Sequence, residues 1–248
     1  MLPGFARERV SRTIDALPWS ARRYLSRTFL TASPDARSMV FENFAVFGQR
    51  AAQEILRGRS TIDPFATLLR YYEEASGGIL DRMTQTDMQS YLVELLMKQD
   101  QMSMAASVES RVPYLDHKLV EYGMALPADS KLRGWQTKFI LREVLRDFVP
   151  AEILKRRKMG FPVPIGRWLR SSFGSIANEF ITSPRAAERR LFKSPLVRQL
   201  AEEHRSGRRE HGPRLWLLMN LEIWQRIFLD GEDAESIVNP VLRHSVAA

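Results

Sequence analysis

The sequence predicts a mainly α protein. Three observations lead there. Apolar residues recur at three- and four-residue intervals through most windows, and helix-start and helix-stop residues bracket those windows. The only strand-like runs, KFIL and SIV, are short or helical in context, so a self-contained sheet is not expected.

The elements follow in order. Between Pro34 and Leu56, the residues Met39, Val40, Phe44, Val46, Phe47, Ala51, Ala52 and Ile55 keep the spacing of a buried stripe. Asp63-Pro64 reads as an N-cap followed by Pro at the first helical position, opening a helix through Tyr71-Tyr72 that Ser76-Gly77-Gly78 ends. Thr86 to Lys98 is the next, with Met88, Tyr91, Leu92, Leu95 and Leu96 inward. Asp116 caps a short helix ending before Pro127. Thr137 to Phe148 points Phe139, Ile140, Val144 and Leu145 inward, and Pro150 starts another turn. Two prolines and two glycines forbid a regular helix across KRRKMGFPVPIGRW, residues 155–168, which reads as a basic loop. Ser194–Arg205 and Pro213–Leu229 follow as helices. The second, with Leu215, Trp216, Met219, Leu221, Ile223, Trp224 and Phe228, is expected to be largely buried. Residues 231–248 lose periodicity and are expected to fray, leaving 1–248 as a single helical domain without a solenoid repeat.

Composition bounds the function. With 248 residues, 44% of them hydrophobic, the chain can bury a core, and 10% aromatic with 27% charged residues excludes disorder or a fibre. No run of eighteen apolar residues occurs, and MLPGFARERVSRT has charges where a signal peptide needs apolar residues, so a cytoplasmic protein without a membrane partner is expected. The absence of cysteine removes disulfides, thiolate metal sites and cysteine nucleophiles. A net charge of +8 favours anionic partners, although the excess is spread along the chain, as a merely arginine-rich composition would spread it. Only seven positions are lysine, none before Lys98, so few compact ammonium groups are available for a phosphate.

Most candidate motifs have plain readings. Ser76-Gly77-Gly78-Ile79-Leu80-Asp81 nearly spells a phosphate loop, but a helix end precedes it and Asp81 arrives one position late, so it reads as a helix C-cap. His117, His204, His211 and His244 lack metal-ligand spacing, and loop or surface roles are expected for them. No G-x-S-x-G elbow is present. RRYLSRTF, residues 22–29, reads as a helix with solvated arginines rather than a nucleic-acid stripe. Two segments stand out. In KQDQMSMAASVESRVPYLD, residues 98–116, Glu109 and Arg111 sit among small and apolar residues, which calls for an ion pair with each other, an Asp100–Arg111 pair, or a ligand. In KRRKMGF, residues 155–161, Arg156, Arg157 and Lys158 stand together, either solvated or facing a polyanion such as pyrophosphate.

These segments, continued through DQMSMAASVESRVPYLDHKLVEYGMALP, KLRGWQTKFILREVLRDFVPAEILKRRKMGFPVPIGRWL and HRSGRREHGPRLWLLMNLEIWQRIF, resemble the synthetase domain of glutamine-dependent asparagine synthetases over roughly residues 79–229. The resemblance implies the helical C-terminal portion of an α/β adenine-nucleotide-hydrolase-like (ATP pyrophosphatase) fold whose parallel sheet lies outside this chain. It implies ATP and Mg²⁺ as cofactors, adenylylation of aspartate's side-chain carboxylate, and ammonia, taken from glutamine by a separate cysteine-dependent domain, displacing AMP. Lys158 matches the family's lysine on the ATP phosphates. Lys98, Asp100, Glu109 and Arg111, with Arg157 beside Lys158, match segments lining the nucleotide and substrate pocket. The glutaminase cysteine, the S-G-G-x-D-S loop and the S-G-x-G-x-D-E loop are absent, so a chain beginning just after those loops is expected, with the missing segments upstream or in another chain. A related amide-forming enzyme, such as a β-lactam synthetase or another amidotransferase, and a non-catalytic helical partner of a split synthetase are the alternatives.

Overall fold

The computed structural model describes residues 45–58, 61–156 and 163–237, and before them only Ala6, Arg9, Val10, Thr13, Ile14 and Arg37. In chain order the elements are α1 (Gln49–Ile55), α2 (Ala66–Glu74), α3 (Ile79–Gln89), α4 (Tyr91–Ala105), α5 (His117–Ala125) and α6 (Ala128–Lys131). The strands β1 (Leu132–Arg133) and β2 (Gln136–Thr137) come next, then α7 (Phe139–Val144), α8 (Ala151–Lys155), α9 (Ile165–Trp168), α10 (Ser172–Thr182), α11 (Pro184–Glu188), α12 (Ser194–Arg205) and α13 (Gly212–Phe228). The fold is mainly helical, as the sequence predicts. No described helix is long and apolar enough to cross a membrane. The chain divides into two compact units, one formed by residues 1–63 and 161–248, the other by residues 64–160.

In the 64–160 unit, local hydrogen bonds move several boundaries. Asp63 pairs with Arg37 instead of capping, and α2 begins two residues later, at Ala66. Ala75 ends α2, and Gly77, at φ +92°, turns the chain into α3. Asp81 then accepts the Gly78 N–H at 3.1 Å and the Lys131 ammonium at 3.3 Å. The late aspartate of the near phosphate loop is therefore an N-terminal cap of α3, and the C-cap expected of this segment falls just before it, at Ala75. The helix expected over Thr86–Lys98 is two, because Ser90 folds its hydroxyl back onto the Thr86 carbonyl at 2.6 Å and the backbone breaks there. Thr137 belongs to a hairpin in which Leu132 pairs with Thr137 and Arg133 with Gln136, its tip turned by Gly134 at φ +56°. The helix expected over Thr137–Phe148 shrinks to α7 and a 3₁₀ turn at Leu145–Asp147.

Burial separates the two units. Among the described residues of the 64–160 unit only Ala75 and Thr86 are buried. Tyr91, Leu95 and Val144, expected inward, are exposed, as are Met97, Met102 and Met104 along α4. The other unit has a core in which Ile176, Ala177, Phe180 and Ile181 of α10 meet Leu215, Leu218 and Met219 of α13, with Val197 of α12 beside them. Ser194–Arg205 is the helix the sequence predicts, and α13 differs from the prediction by one residue at each end. Trp224 and Phe228, expected buried, instead stack on each other at the surface, their centroids 5.8 Å apart. Ile237 is buried in the core, so the expected fraying does not begin at 231; residues 238–248 lie outside the described residues. The same holds for RRYLSRTF and for Met39, Val40 and Phe44 of the expected N-terminal stripe.

An ionic network joins α11 to α13. Buried Glu222 accepts from Arg189 at 2.7 Å and from Arg226 at 2.9 Å, while Asp230 takes the other edge of Arg189 at 2.5 Å. These hydrogen bonds raise the Arg189 pKa, that to Asp230 most, and Arg189 in turn holds the Asp230 carboxyl below its ordinary value. Removing one member of such a buried pair strands the other charge. Glu222→Leu is expected to lower urea-unfolding stability by about 3 kcal/mol. Asp230→Asn, at the solvent edge, should lower it less, and equal losses would show that burial does not set the network's strength.

Candidate functional site

The residues predicted to form a nucleotide and substrate pocket are placed unevenly. Lys98 and Asp100 stand on α4, exposed, and two positions apart on a helix they do not share a face. Past α4 the chain folds back. Val108 N–H reaches the Ser103 carbonyl at 2.9 Å, Ser107 adopts φ 56°, and Gln99 donates to the Ser110 hydroxyl at 2.6 Å. This return brings Glu109 and Arg111 into an ion pair of 2.7 Å, with 67% and 81% of their side chains exposed. Of the three partners open to Arg111, the structure shows Glu109. At that exposure the pair adds little stability and leaves the guanidinium face open to solvent. Arg157 and Lys158 lie outside the described residues, and their neighbours Lys155 and Arg156 are exposed at the end of α8.

A second constellation, in the other unit, was missed by the sequence reading. His204 is completely buried and His211 is 3% exposed, against the expected surface roles. They are seven residues apart, yet they meet, because α12 ends at Arg205, Gly207 turns at φ +71°, and His211 is the N-cap of α13. The His211 backbone N–H donates to His204 Nδ1 at 3.1 Å, so the His204 ring proton is on Nε2, which donates to the Gly166 carbonyl at 3.0 Å. His211 Nε2 donates to Glu203 at 2.8 Å, and Gln199 supports the same carboxylate at 2.9 Å. Glu210 accepts the Gly212 N–H at 3.0 Å and pairs with Arg170, whose Nε reaches the His204 carbonyl at 3.2 Å.

The electrostatics follow from burial. Desolvation pushes both histidines below their ordinary value of 6.5, and it outweighs the opposing charge of Glu210 on His204 and the opposing Glu203 hydrogen bond on His211. The hydrogen bonds from Gln199 and then His211 hold Glu203 below its ordinary value. His211 Nδ1 is buried and has no hydrogen-bond partner, so a proton there would be a charge without an acceptor. Both rings are neutral. No group of three or more His, Asp or Glu among the described residues could hold a metal ion.

Comparison with known proteins settles the family. The asparagine synthase profile matches residues 2–226. The chain belongs to the asparagine synthase family. A Mycobacterium bovis protein provisionally named an asparagine synthetase, glutamine-hydrolysing, is 35% identical over 172 residues, covering 68% of this chain and 26% of that protein. Asparagine synthetase 1 of Bacillus subtilis is 27% identical over 191 residues, covering 76% and 30%, and the Gallus gallus asparagine synthetase is 32% identical over 143 residues, covering 51% and 25%. The chain thus spans less than a third of each of these relatives. No solved structure matches it.

The neutral histidines set a pH dependence. A histidine whose folded pKa lies below its unfolded value stabilises fully above about pH 6.5 and loses that contribution as the pH falls, because the unfolded chain takes up the proton first. Thermal melts between pH 7.5 and 5 should therefore show stability declining below about 6.5, with a slope approaching about 2.7 kcal/mol per pH unit for two histidines. A flat profile over that range would mean the rings take up protons as readily in the folded as in the unfolded chain.

Proposed function

We propose that this chain is part of the ligase portion of a cytoplasmic glutamine-dependent asparagine synthetase, in which ATP activates the side-chain carboxylate of aspartate and ammonia replaces AMP. The observation that carries the reading is the family match across residues 2–226, a membership the three motif blocks had already implied. ATP supplies the leaving group that makes the carboxylate electrophilic. This chain's contribution is cationic: Lys158, with Arg157 beside it, stabilises the negative charge that builds as pyrophosphate departs. Lys98, Asp100, Glu109 and Arg111 belong to the wall of the same pocket, where the open face of Arg111 suits a carboxylate or phosphate oxygen.

The remaining parts come from outside this sequence. Without cysteine the chain cannot form the thioester that a cysteine-dependent glutaminase uses, so ammonia arrives from another segment or subunit. The described residues offer no acidic cluster for Mg²⁺. A parallel sheet carrying the phosphate loops would also cover α4, whose Tyr91 is 58% and Met102 68% exposed. That uncovered face equally supports a non-catalytic role as the helical half of a split synthetase.

Two experiments test these readings. In the completed synthetase, Lys158→Ala should lower ATP-dependent asparagine formation by roughly two orders of magnitude while changing stability by less than about 1 kcal/mol. Arg157→Ala should lose much less, and equal losses would assign the effect to the bulk charge of the segment. The isolated chain should bind a hydrophobic dye through the α4 face and form no asparagine from aspartate, ATP and ammonia. A dye-silent monomer would overturn the proposal of a missing cover, and turnover by the chain alone would overturn the proposal of missing parts.

A further inference from the structure

The turn that joins α12 to α13 matches two backbone donors to two side-chain acceptors. The His211 N–H donates to His204 Nδ1 at 3.1 Å, and the Gly212 N–H donates to Glu210 Oε1 at 3.0 Å. These are the first donors of α13, and Pro213, which follows, carries none. His204 is fully buried, His211 is 3% exposed and Gly212 is buried, so solvent does not stand in for either acceptor.

The two acceptors also lie close to each other. Glu210 Oε1 is 3.5 Å from His204 Nδ1, so that a carboxylate faces the ring's lone pair while the ring is neutral. The second oxygen of Glu210 is held by Arg170, which also donates to the His204 carbonyl at 3.2 Å. A proton on Nδ1 changes the count. One acceptor becomes a charged donor, and three donors, the ring and the two backbone N–H groups, are left with Glu210 Oε1 alone. A charge-assisted bond to the ring is stronger than a neutral amide's bond to the same oxygen, so the backbone donors lose their partners.

The geometry also selects which histidine takes the first proton. His211 Nε2 already donates to Glu203 at 2.8 Å, and its buried Nδ1 has no partner to receive a second N–H. Gln199 shares the Glu203 carboxylate, and Arg214 and Arg209 oppose a positive charge on His211. At His204 burial sets proton uptake below the ordinary 6.5, Glu210 favours the proton and Arg170 opposes it. Of the other charges on the surrounding elements, Arg205 pairs with Glu202 at the surface, and Arg167 and Arg208 are exposed. The bond from His204 Nε2 to the Gly166 carbonyl uses a proton present in both states of the ring, so α9 keeps its hold.

We propose that His204 is a proton switch for the α12–α13 turn: a proton on Nδ1 draws Glu210 from the Gly212 N–H to the ring, releases the His211 and Gly212 N–H groups, and opens the first turn of α13 while α9 and the core stay in place. The response is local. It differs from a uniform loss of stability, in which every amide of α13 would lose protection together.

Histidine ring titration and amide exchange, read residue by residue on the 248-residue chain, test the switch. Between about pH 7.5 and 4.5, with the intrinsic pH dependence of exchange removed, protection of the His211 and Gly212 amides should fall about tenfold or more, in step with protonation of His204. Leu218 and Met219, further along α13, should keep theirs, and His211 should take up its proton only after His204. Glu210→Gln still offers an oxygen to Gly212 but no charge to the ring, and should move the transition down by about one pH unit. His204→Asn, whose side-chain oxygen stands near Nδ1 and accepts without titrating, should leave the protection of His211 flat with pH. If that variant fails to fold, the Glu210 variant decides. Protonation of His211 first, protection lost alike at Leu218 and Met219, protection unchanged until the whole chain unfolds, or a midpoint unmoved by Glu210→Gln would overturn the inference.

Discussion

A buried carbonyl needs a donor, and in the 161–248 unit the donor to Gly166 is His204, whose other ring nitrogen accepts a hydrogen bond and so requires a neutral ring. Much of that unit's arrangement follows from this one contact. His204 must be desolvated, so its other nitrogen must find a donor, which is the backbone of His211 at 3.1 Å. That bond fixes where α13 begins. His211 in turn uses Nε2 on Glu203, and the carboxylate is completed by Gln199 one turn back on α12. A larger residue in place of Gly212 would force apart the backbones that make the arrangement possible, and one in place of Gly166 would displace the Glu210 carboxylate.

The two units solve the problem of burial differently. One packs α10, α12 and α13 around eleven buried apolar residues among those described and pairs most of its buried polar groups internally, through Glu222 with two arginines and through the histidine cluster, His211 Nδ1 excepted. The other buries only Ala75 and Thr86 among its described residues and leaves Tyr91, Val93, Leu95, Met97, Met102 and Met104 of α4 substantially exposed. Hydrophobic burial is the dominant favourable term in folding, so an α4 in this state is short of the cover that would stabilise it. Local devices carry the load instead: the Asp81 cap with Lys131, the Ser90 back-bond, and Asp116 accepting from Lys118 and Leu119 at the start of α5.

How much of this was legible depends on the range of the interaction that decides each feature. Ser194–Arg205 was readable to the residue because Pro195 and the apolar stripe act within one helix, and α5 because Asp116 caps it locally. The split at Ser90 was not, since a serine in a helical window gives no sign of whether it bonds backward or outward. The hairpin at Gly134 was overlooked because its strands are only two residues long. Inward positions were misjudged where periodicity was right but the side chains stand exposed among the described residues, as at Tyr91 and Leu95. At the candidate site, the Glu109–Arg111 pair was among the alternatives the sequence allowed, since the residues are two apart in a turn.

The histidines show the opposite failure. A spacing of seven reads as two helical turns, and Ser206-Gly207 between them argues against a shared helix, so separate surface positions followed. The chain satisfies the spacing otherwise: it leaves α12, turns at Gly207, and returns His211 to the ring it left behind. The residue that makes the return worthwhile is Gly166, thirty-eight positions earlier in the sequence, where nothing about I-G-R-W signals a buried acceptor. What links the two is the requirement that a short helix, entered directly after a strongly basic stretch, be held by groups outside itself. A block of sequence far from I-G-R-W is therefore held to it through a single backbone carbonyl. The glycines at 166 and 212 are the visible trace of that constraint, because only they permit the approach.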